Sequence, residues 1–149
     1  MADTTLLLTI LTQEHELVTQ PVKSLSVMTQ EGELTILPGH IPLLSRLADG
    51  ELTYRWMEGG KEQKAFFAVS GGFMDVGSNG EVTVLADHAI RSEDINEAKA
   101  EEARKAAQDA MANKQSARDF KLAEASLRQA LTELRIAEKR RGNDGVPRI

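Results

Sequence analysis

A change in the distribution of glycine and proline near residue 90 constrains the fold more than any other feature. Between Ser92 and Arg141 there is neither residue, whereas every turn-forming dipeptide except those of the last few residues lies before Asp87. Glycine accepts positive φ, and proline presets φ and removes a donor, so both mark turns. The chain is therefore predicted to have two domains, a turn-rich one at 1–87 and a helical one at 88–149.

The first domain is predicted to be a β-sandwich or flattened barrel. Short runs rich in Leu, Val and Thr are separated by Asp-Gly, Gly-Gly and Asn-Gly pairs. Such pairs favour hairpins because primed turns need positive φ at their central residues, and this spacing is typical of all-β folds. Gly71-Gly72 is interpreted as a turn between two strands, and Pro21 is expected in an edge strand. The expected strands are 5–11, 16–28, 34–36, 43–47, 51–57, 62–69, 73–76 and 81–85.

Aromatic side chains are rare, at 4% of the sequence, and those near residue 54 share one face of an expected strand. Leu52, Tyr54 and Trp56 alternate with Thr53 and Arg55. We interpret the two aromatic residues as core packing in preference to a stacking platform for a ligand.

The second domain switches to a period of 3.6 residues and is predicted to be an antiparallel hairpin of two helices, at about 92–112 and 117–141. Ser92 can cap the first helix, and Ser116 with Asp119 has the spacing of a capping box for the second. Gly142 is expected to end that helix and to leave a disordered tail, 143–149. Asp87-His88 is interpreted as the connector. Apolar positions of the second helix form a seam for a partner helix: Phe120, Ala123, Leu127, Ala130, Leu134 and Ala137.

Alanine dominates this seam, and that composition bears on whether the hairpin can open. A buried methyl group contributes only about 0.8 kcal/mol, so an alanine seam holds two helices together at a modest cost of separation. The residues involved also have high intrinsic helix propensity. A detachable hairpin and a permanently docked one therefore both stay open.

The two domains differ in charge. Residues 1–87 carry 5 basic and 12 acidic side chains, whereas residues 88–149 carry 13 basic and 11 acidic ones. The basic cluster at the end of the second helix is explained either by the negative end of the helix dipole or by docking on an acidic partner surface. Because the protein is acidic overall, nucleic acid is a poor candidate partner.

The composition also argues against several classes of function. The absence of cysteine excludes disulfides and thiolate metal sites. No apolar run is long enough to span a bilayer, and the first residues lack the features of a signal or transit peptide, so we expect a soluble, cytosol-facing protein. His15, His40 and His88 are far apart, and neither catalytic motifs nor a phosphate-binding loop is present. We therefore expect no catalytic residue and no metal site.

One segment carries a recognisable signature. From Glu31 to Leu44 the sequence is E-G-E-L-T-I-L-P-G-H-I-P-L-L, in which a short strand leads into a rigid Pro-Gly loop with His40 at its apex and Leu43-Leu44 returning to the core. This segment resembles the signature loop of the epsilon subunits of F-type ATP synthases. V-S-G-G-F-M-D-V, from Val69 to Val76, is similar to a second motif of that family. With the alanine-rich hairpin, the resemblance covers nearly the whole chain.

The resemblance implies a non-catalytic rotor subunit of a proton-translocating complex. Its sandwich would contact the gamma subunit and the membrane ring of c subunits, and its helices would swing against the alpha and beta subunits to inhibit ATP hydrolysis. It would be peripheral, on the cytoplasmic face of a bacterial plasma membrane, and held there only through the complex. The implied ring and gamma contacts are Glu31, Gly32, Pro38, Gly39 and His40; the implied inhibitory contacts are Arg128, Arg135, Lys139, Arg140 and Arg141.

Some relatives bind ATP through the motif I/L-D-x-x-R-A on the first helix of the hairpin. The matching positions here are Ile95, Asn96, Lys99 and Ala100, with Leu122 near the expected partner position on the second helix. Asparagine removes a charge, and lysine lacks the planar guanidinium, so we expect ATP binding to be weak or absent. Two alternatives stay open: an ATP-sensing regulatory subunit, and a free-standing sandwich with a helical adaptor.

Overall fold

The computed structural model describes residues 4–113 and 116–144. The chain forms two compact units, Met1–Ala89 and Ile90–Ile149. The first unit is a β-sandwich and the second contains two helices, so the predicted fold class is confirmed.

The sandwich is built from eight hydrogen-bonded strands. They are β1 Leu6–Leu11, β2 Glu16–Val22, β3 Ser24–Thr29, β4 Gly32–Ile36, β5 Leu43–Arg46, β6 Gly50–Glu58, β7 Lys61–Val76 and β8 Glu81–Arg91. The strand order is β2-β1-β8-β7-β6-β3-β4, and β5 pairs with β7 off this path. β1 and β8 are parallel, which is possible because almost the whole unit lies between them in sequence.

β7 is the long strand that shapes this unit. Its first half pairs with β6 and its last four residues pair with β5. The change of partner follows Gly71 and Gly72, which have φ of +66° and +118°. The prediction of a turn between two strands at this point is wrong. A strand that bends in this way can pair with strands in two different parts of a sandwich.

Two other strand boundaries differ from expectation. The run predicted at 16–28 is divided into β2 and β3, and Pro21 lies in β2 at the end of the ladder, as expected for a residue that cannot donate. β8 continues through Asp87 and His88 to Arg91. The interpretation of Asp87-His88 as a connector is therefore wrong.

The core is aliphatic with a small aromatic group. Leu52 and Tyr54 are buried, Trp56 packs against the core, and the Tyr54 ring centroid lies 5.4 Å from that of Trp56. Tyr54 also lies 6.1 Å from Phe67 by ring centroid. The interpretation of these aromatic residues as core packing is confirmed.

The helices begin and end at residues that only partly match the prediction. A 3-10 turn at Ser92–Asp94 precedes α1, Glu97–Ala112, and α2 is Ala117–Asp144. Asn96 caps α1, its side chain accepting from the Lys99 amide at 3.1 Å, so the prediction of Ser92 as the cap is wrong. The cap at Ser116 is confirmed by a 3.1 Å hydrogen bond from the Asp119 amide.

The predicted end of α2 is also wrong, because the helix continues through Gly142 to Asp144. An exposed glycine inside a helix costs roughly 1 kcal/mol relative to alanine, which one position near a helix end can tolerate. Of the predicted disordered tail, 143–149, the first two residues are helical and 145–149 lie outside the described residues.

Alanine fills the contact between α1 and α2. All three seam alanines of α2, Ala123, Ala130 and Ala137, are buried, and the larger predicted seam residues are half-buried. On α1, Ala100 and Ala107 are buried. Ile136 is fully buried as well, although it lies outside the predicted seam.

Candidate functional site

The turn between β3 and β4 displays Glu31. Thr29 pairs with Gly32, so Gln30 and Glu31 form a two-residue loop. The Gln30 amide donates to the Arg46 carbonyl at 3.0 Å, and its side-chain Nε2 donates to the Leu47 carbonyl at 3.2 Å. Glu31 is exposed at the tip. The loop is therefore anchored to a neighbouring segment while one carboxylate faces solvent.

The signature loop is a β-turn with the geometry that its sequence predicts. The His40 amide donates to the Leu37 carbonyl at 3.0 Å, and Gly39 has a φ of +86°. Pro38 at the second position and a positive φ at the third are the marks of a type II turn. His40 Nδ1 lies 2.7 Å from the Ile41 carbonyl oxygen, which fixes the imidazole against the loop.

The exit from this loop differs from expectation. Leu43 is half-buried and packs on the core, but the Leu44 side chain is 71% exposed. The prediction that both leucines enter the core is wrong, because alternate residues of β5 point to opposite faces.

The five predicted contact residues of the sandwich fall into two places. Gly32 and Ile36 are the first and last residues of β4, and four rises of about 3.3 Å separate them. The Glu31 turn lies at one end of this strand and the Pro38–His40 loop follows its other end. Residues 38–42 border an open recess of about 590 Å³, which the turn at 77–80 also lines.

An exposed apolar group lies on the outer face near the signature loop and was missed by sequence reasoning. Leu44 pairs with Asp75 while Arg46 pairs with Phe73, so Leu44 and Phe73 are diagonal neighbours. Phe73 is 51% exposed, and Ile41 in the adjoining loop is 75% exposed. Strand alternation could have revealed this group from the sequence, because it places Phe73 and Met74 on opposite faces of their strand.

In the helical unit, two of the predicted inhibitory cations are held at the base. Arg140 Nη1 donates to the Ser92 carbonyl at 2.5 Å, and its Nη2 lies 4.0 Å from Glu97 Oε1. Arg141 Nη1 lies 3.3 Å from Glu97 Oε2. Arg140, Arg141, Glu97 and the Ser92 carbonyl together are called the basal latch below. It joins the end of α2 to the beginning of the unit.

The other three predicted inhibitory residues lie elsewhere on α2. Arg128 forms an ion pair with Glu124 one turn earlier, at 3.3 Å. Arg135 and Lys139 are exposed. The cations are thus spread along the helix, and Arg140 and Arg141 share Glu97 as a partner.

The residues that match the ATP motif have structural roles in this fold. Ile95 and Ala100 are buried. The Asn96 side chain is occupied as the helix cap. Lys99 is exposed, and Leu122 on α2 is 60% exposed. The positions of the motif therefore offer one cation and no carboxylate.

Arg104 and Glu101 form an ion pair within α1. Arg104 Nε donates to both carboxylate oxygens, at 3.1 and 3.2 Å, and Nη2 contacts Oε1 as well. This hydrogen bonding lowers the pKa of Glu101 and raises the pKa of Arg104 from their ordinary values. The pair favours the charged form of both groups on an exposed helix face.

Residues 4–113 and 116–144 offer neither a metal centre nor a membrane-spanning helix. No group of three or more His, Asp or Glu side chains there could hold a metal ion. No helix in that part of the chain combines the length and apolarity needed to cross a membrane.

Comparison with protein families decides what this arrangement belongs to. The model of the ATP synthase delta/epsilon chain β-sandwich domain matches residues 5–92, and that of the delta/epsilon chain long α-helix domain matches residues 93–138. The chain belongs to the ATP synthase delta/epsilon chain family. It is accordingly a non-catalytic subunit of the ATP synthase complex, and the resemblance found in the sequence is confirmed.

Individual relatives agree with this assignment. The ATP synthase epsilon chain of Herpetosiphon aurantiacus is 42% identical over 134 residues, which cover 90% of this chain and 95% of that one. The epsilon chain of Herminiimonas arsenicoxydans is 38% identical, with coverage of 89% and 92%.

Solved structures give the same result for the fold. A chain of the Euglena gracilis mitochondrial ATP synthase OSCP/F1/c-ring structure has a TM-score of 0.63 and 30% identity, with coverage of 95% of this chain and 82% of that one. A chain of the Tetrahymena thermophila central stalk and c-ring structure, at 16% identity and a TM-score of 0.61, shares the fold; coverage is 89% and 96%.

Proposed function

We propose that the sandwich of this epsilon-type subunit connects the gamma subunit to the membrane ring of c subunits, and that the helical unit restrains ATP hydrolysis. The observation that carries the proposal is the division of the chain into two units, one presenting loops and one closed by an alanine seam and the basal latch. The similar Euglena gracilis chain belongs to an assembly that contains a c-ring, which supports the ring as partner.

The sandwich would use its two loops for two contacts. These loops lie at opposite ends of β4, the Glu31-Gly32 turn at its start and the Pro38–His40 loop after its end. They are too far apart to form one small site. We assign them to the ring and to the gamma subunit. Exposed Leu44 and Phe73 beside the second loop suit a protein interface, since apolar side chains at the centre of an interface contribute strongly to binding.

The helical unit would act as an arm that opens. In the closed unit Arg140 and Arg141 both form ion pairs with Glu97. An acidic surface on the alpha or beta subunits could replace Glu97 as their partner, together with Arg128, Arg135 and Lys139 along the same helix. Ion pairs at this exposure contribute roughly 0.2–1 kcal/mol each, so such an exchange costs little.

Hydrolysis and proton pumping of a reconstituted complex test this division of labour. One complex carries the full chain and the other a chain ending at Arg91, which keeps all of β8. We expect the shortened chain to raise ATP hydrolysis while proton pumping persists. Unchanged hydrolysis would show that the helices are structural, and loss of pumping would show that the sandwich does not suffice for assembly.

ATP is not proposed as a ligand of the helical unit. Asn96 caps α1, and Ile95 and Ala100 are buried, which leaves Lys99 as the one cation of the motif. Calorimetric titration of the full chain with ATP should therefore show weak binding or none. A dissociation constant in the low micromolar range would restore the ATP-sensing alternative.

The membrane location follows from the proposed ring contact. We propose that the subunit is peripheral and lies on the cytoplasmic face of a bacterial plasma membrane, held there through the complex. Membranes prepared from cells should retain it together with the gamma subunit. Its release as a single chain by low-salt washing would instead support a free-standing module.

A further inference from the structure

The β3–β4 turn is not one of the primed two-residue turns. Two-residue hairpin loops are commonly type I′ or II′, whose twist matches that of the strands and which need positive φ. Within the described residues only glycines have positive φ, so Gln30 and Glu31 both have negative values. Gly32 follows them with a φ of +118°, and a positive-φ glycine after such a pair is a common way to close a hairpin. Side-chain contacts add further support to the turn.

Thr29 supplies that support with one hydroxyl. Its Oγ1 donates to the Gly32 carbonyl at 2.7 Å and accepts from the Glu31 amide at 3.2 Å. The Thr29 side chain is buried, with 6% of the residue exposed, and the residue is bridged to Leu47. This buried hydroxyl therefore forms hydrogen bonds with the backbone on both sides of the Glu31 Cα.

The carboxylate of Glu31 has no such tie. It makes no hydrogen bond or ion pair with any other residue of 4–113 or 116–144, although its own amide is held. The turn is thus rigid in its backbone and open at one side chain. This combination fixes the direction in which the Glu31 side chain leaves the backbone and does not neutralise its carboxylate.

We propose that Thr29 is a positioning residue, which sets the direction in which Glu31 is presented to a binding partner. The inference rests on the proposed contact between the Glu31 turn and the ring. Loss of the hydroxyl would leave Glu31 chemically intact but let the turn relax towards a conformation with a different direction of the carboxylate.

Four variants separate the hydroxyl from the methyl group and from general destabilisation. Thr29→Val removes the hydroxyl at nearly constant volume, and Thr29→Ser keeps it. Thr132→Val is the matched control, because Thr132 is equally buried and its Oγ1 donates to a backbone carbonyl at 2.9 Å in the helical unit. Glu31→Gln removes the charge that the turn presents.

Amide hydrogen exchange of the full chain is the first measurement. We expect the Glu31 amide to exchange about tenfold faster in Thr29→Val, the factor that loss of one ordinary net hydrogen bond supplies, and near the wild-type rate in Thr29→Ser and Thr132→Val. An unchanged Glu31 rate in Thr29→Val would overturn the proposal without affecting the proposed function.

Titration of a complex depleted of this subunit is the second measurement. Glu31→Gln and Thr29→Val should each raise the dissociation constant, and the double variant should bind no more weakly than Glu31→Gln alone, because Thr29 acts through Glu31. Additive losses would overturn the positioning role. Faster exchange with no effect of Glu31→Gln on binding would instead remove the Glu31 turn from the proposed ring contact.

Discussion

Gly32 and Gly72 share a backbone φ of +118° but differ in their surroundings. A Cβ added at Gly32 meets nothing within 4 Å, whereas one at Gly72 would lie 2.1 Å from the Leu85 carbonyl oxygen. The two sites therefore separate backbone strain from steric exclusion. Gly72 is required by the close approach of β8 to the bend in β7.

Gly32→Ala should destabilise the chain by about 1–3 kcal/mol, the usual range for backbone strain. Gly72→Ala should cost about 2 kcal/mol more, because backbone atoms must move to admit the methyl group. Denaturant unfolding of the sandwich measures both. Equal losses for the two variants would show that β8 yields easily at this point.

The Glu101–Arg104 pair predicts a small pH dependence of helix stability. Because the pKa of Glu101 is lowered in the folded chain, its contribution is present above its ordinary value of 4.5 and is lost as pH falls through the folded value. The stability difference between wild type and Glu101→Gln should therefore shrink from pH 6 to pH 3. A thermal unfolding series of both proteins followed by circular dichroism tests this; a constant difference would contradict it.

At the scale of elements, the alanine contact between α1 and α2 is accompanied by one fully buried large side chain of α2. Ile136 is fully buried and Leu131, on the same helix, is 47% exposed. Ile136→Ala should lower the free energy of unfolding of the helical unit by about 2–5 kcal/mol. Leu131→Ala should cost below about 1 kcal/mol, as is usual for surface positions. Similar effects in urea unfolding would mean that Ile136 is not the main anchor.

The basal latch gives the helices a second, polar contact. Glu97→Gln should weaken it and lower the free energy of unfolding of the helical unit by roughly 0.2–1 kcal/mol. If the helices inhibit hydrolysis when open, the same variant should also inhibit an assembled complex more strongly.

Glu102→Gln is the control for this prediction, because Glu102 is exposed on the same helix and the variant removes the same charge. Equal effects of the two substitutions on unfolding would assign the change to net charge and not to the basal latch. A destabilised Glu97→Gln chain that leaves hydrolysis unchanged would count against the inhibitory role of the helices.

At the scale of the whole molecule, the sandwich should fold without the helices. All residues of its core cluster, including the half-buried ones packed against it, lie at or before Ala89. A chain of residues 1–91 should therefore show a cooperative thermal transition with an all-β spectrum. A chain ending at Asp87 removes four residues of β8 and should melt earlier. A chain of residues 1–91 without a cooperative transition would show that the helices are needed for folding.

Local chemistry made much of this architecture predictable from sequence. The type II turn at Pro38-Gly39, the cap at Ser116 and the alternation of Leu52, Tyr54 and Trp56 each depend on residues within a few positions of one another. Their conformations follow from φ preference, hydrogen bonding and side-chain alternation, which act along the chain. The Glu31 to Leu44 signature was also sufficient to indicate the family, which the comparisons confirm.

The errors do not share one cause, and the one that most changes the fold depends on contacts between distant residues. Gly71-Gly72 has the local marks of a turn, but pairing with β5 and β6 makes it a bend within one strand. Gly142 has the local marks of a helix stop, yet α2 continues past it. The support of Glu31 by Thr29 required the actual sign of φ in the turn, which local sequence did not determine.

The sequence by itself determined two units, their secondary-structure classes and the family, because periodicity and turn chemistry are properties of neighbouring residues. Only the tertiary structure decided which groups meet. Arg140 donates to the carbonyl of Ser92, 48 positions earlier, and that contact exists only when the two helices pack. Pairing across such a distance depends on how buried surfaces fit together, and no local pattern encodes that fit.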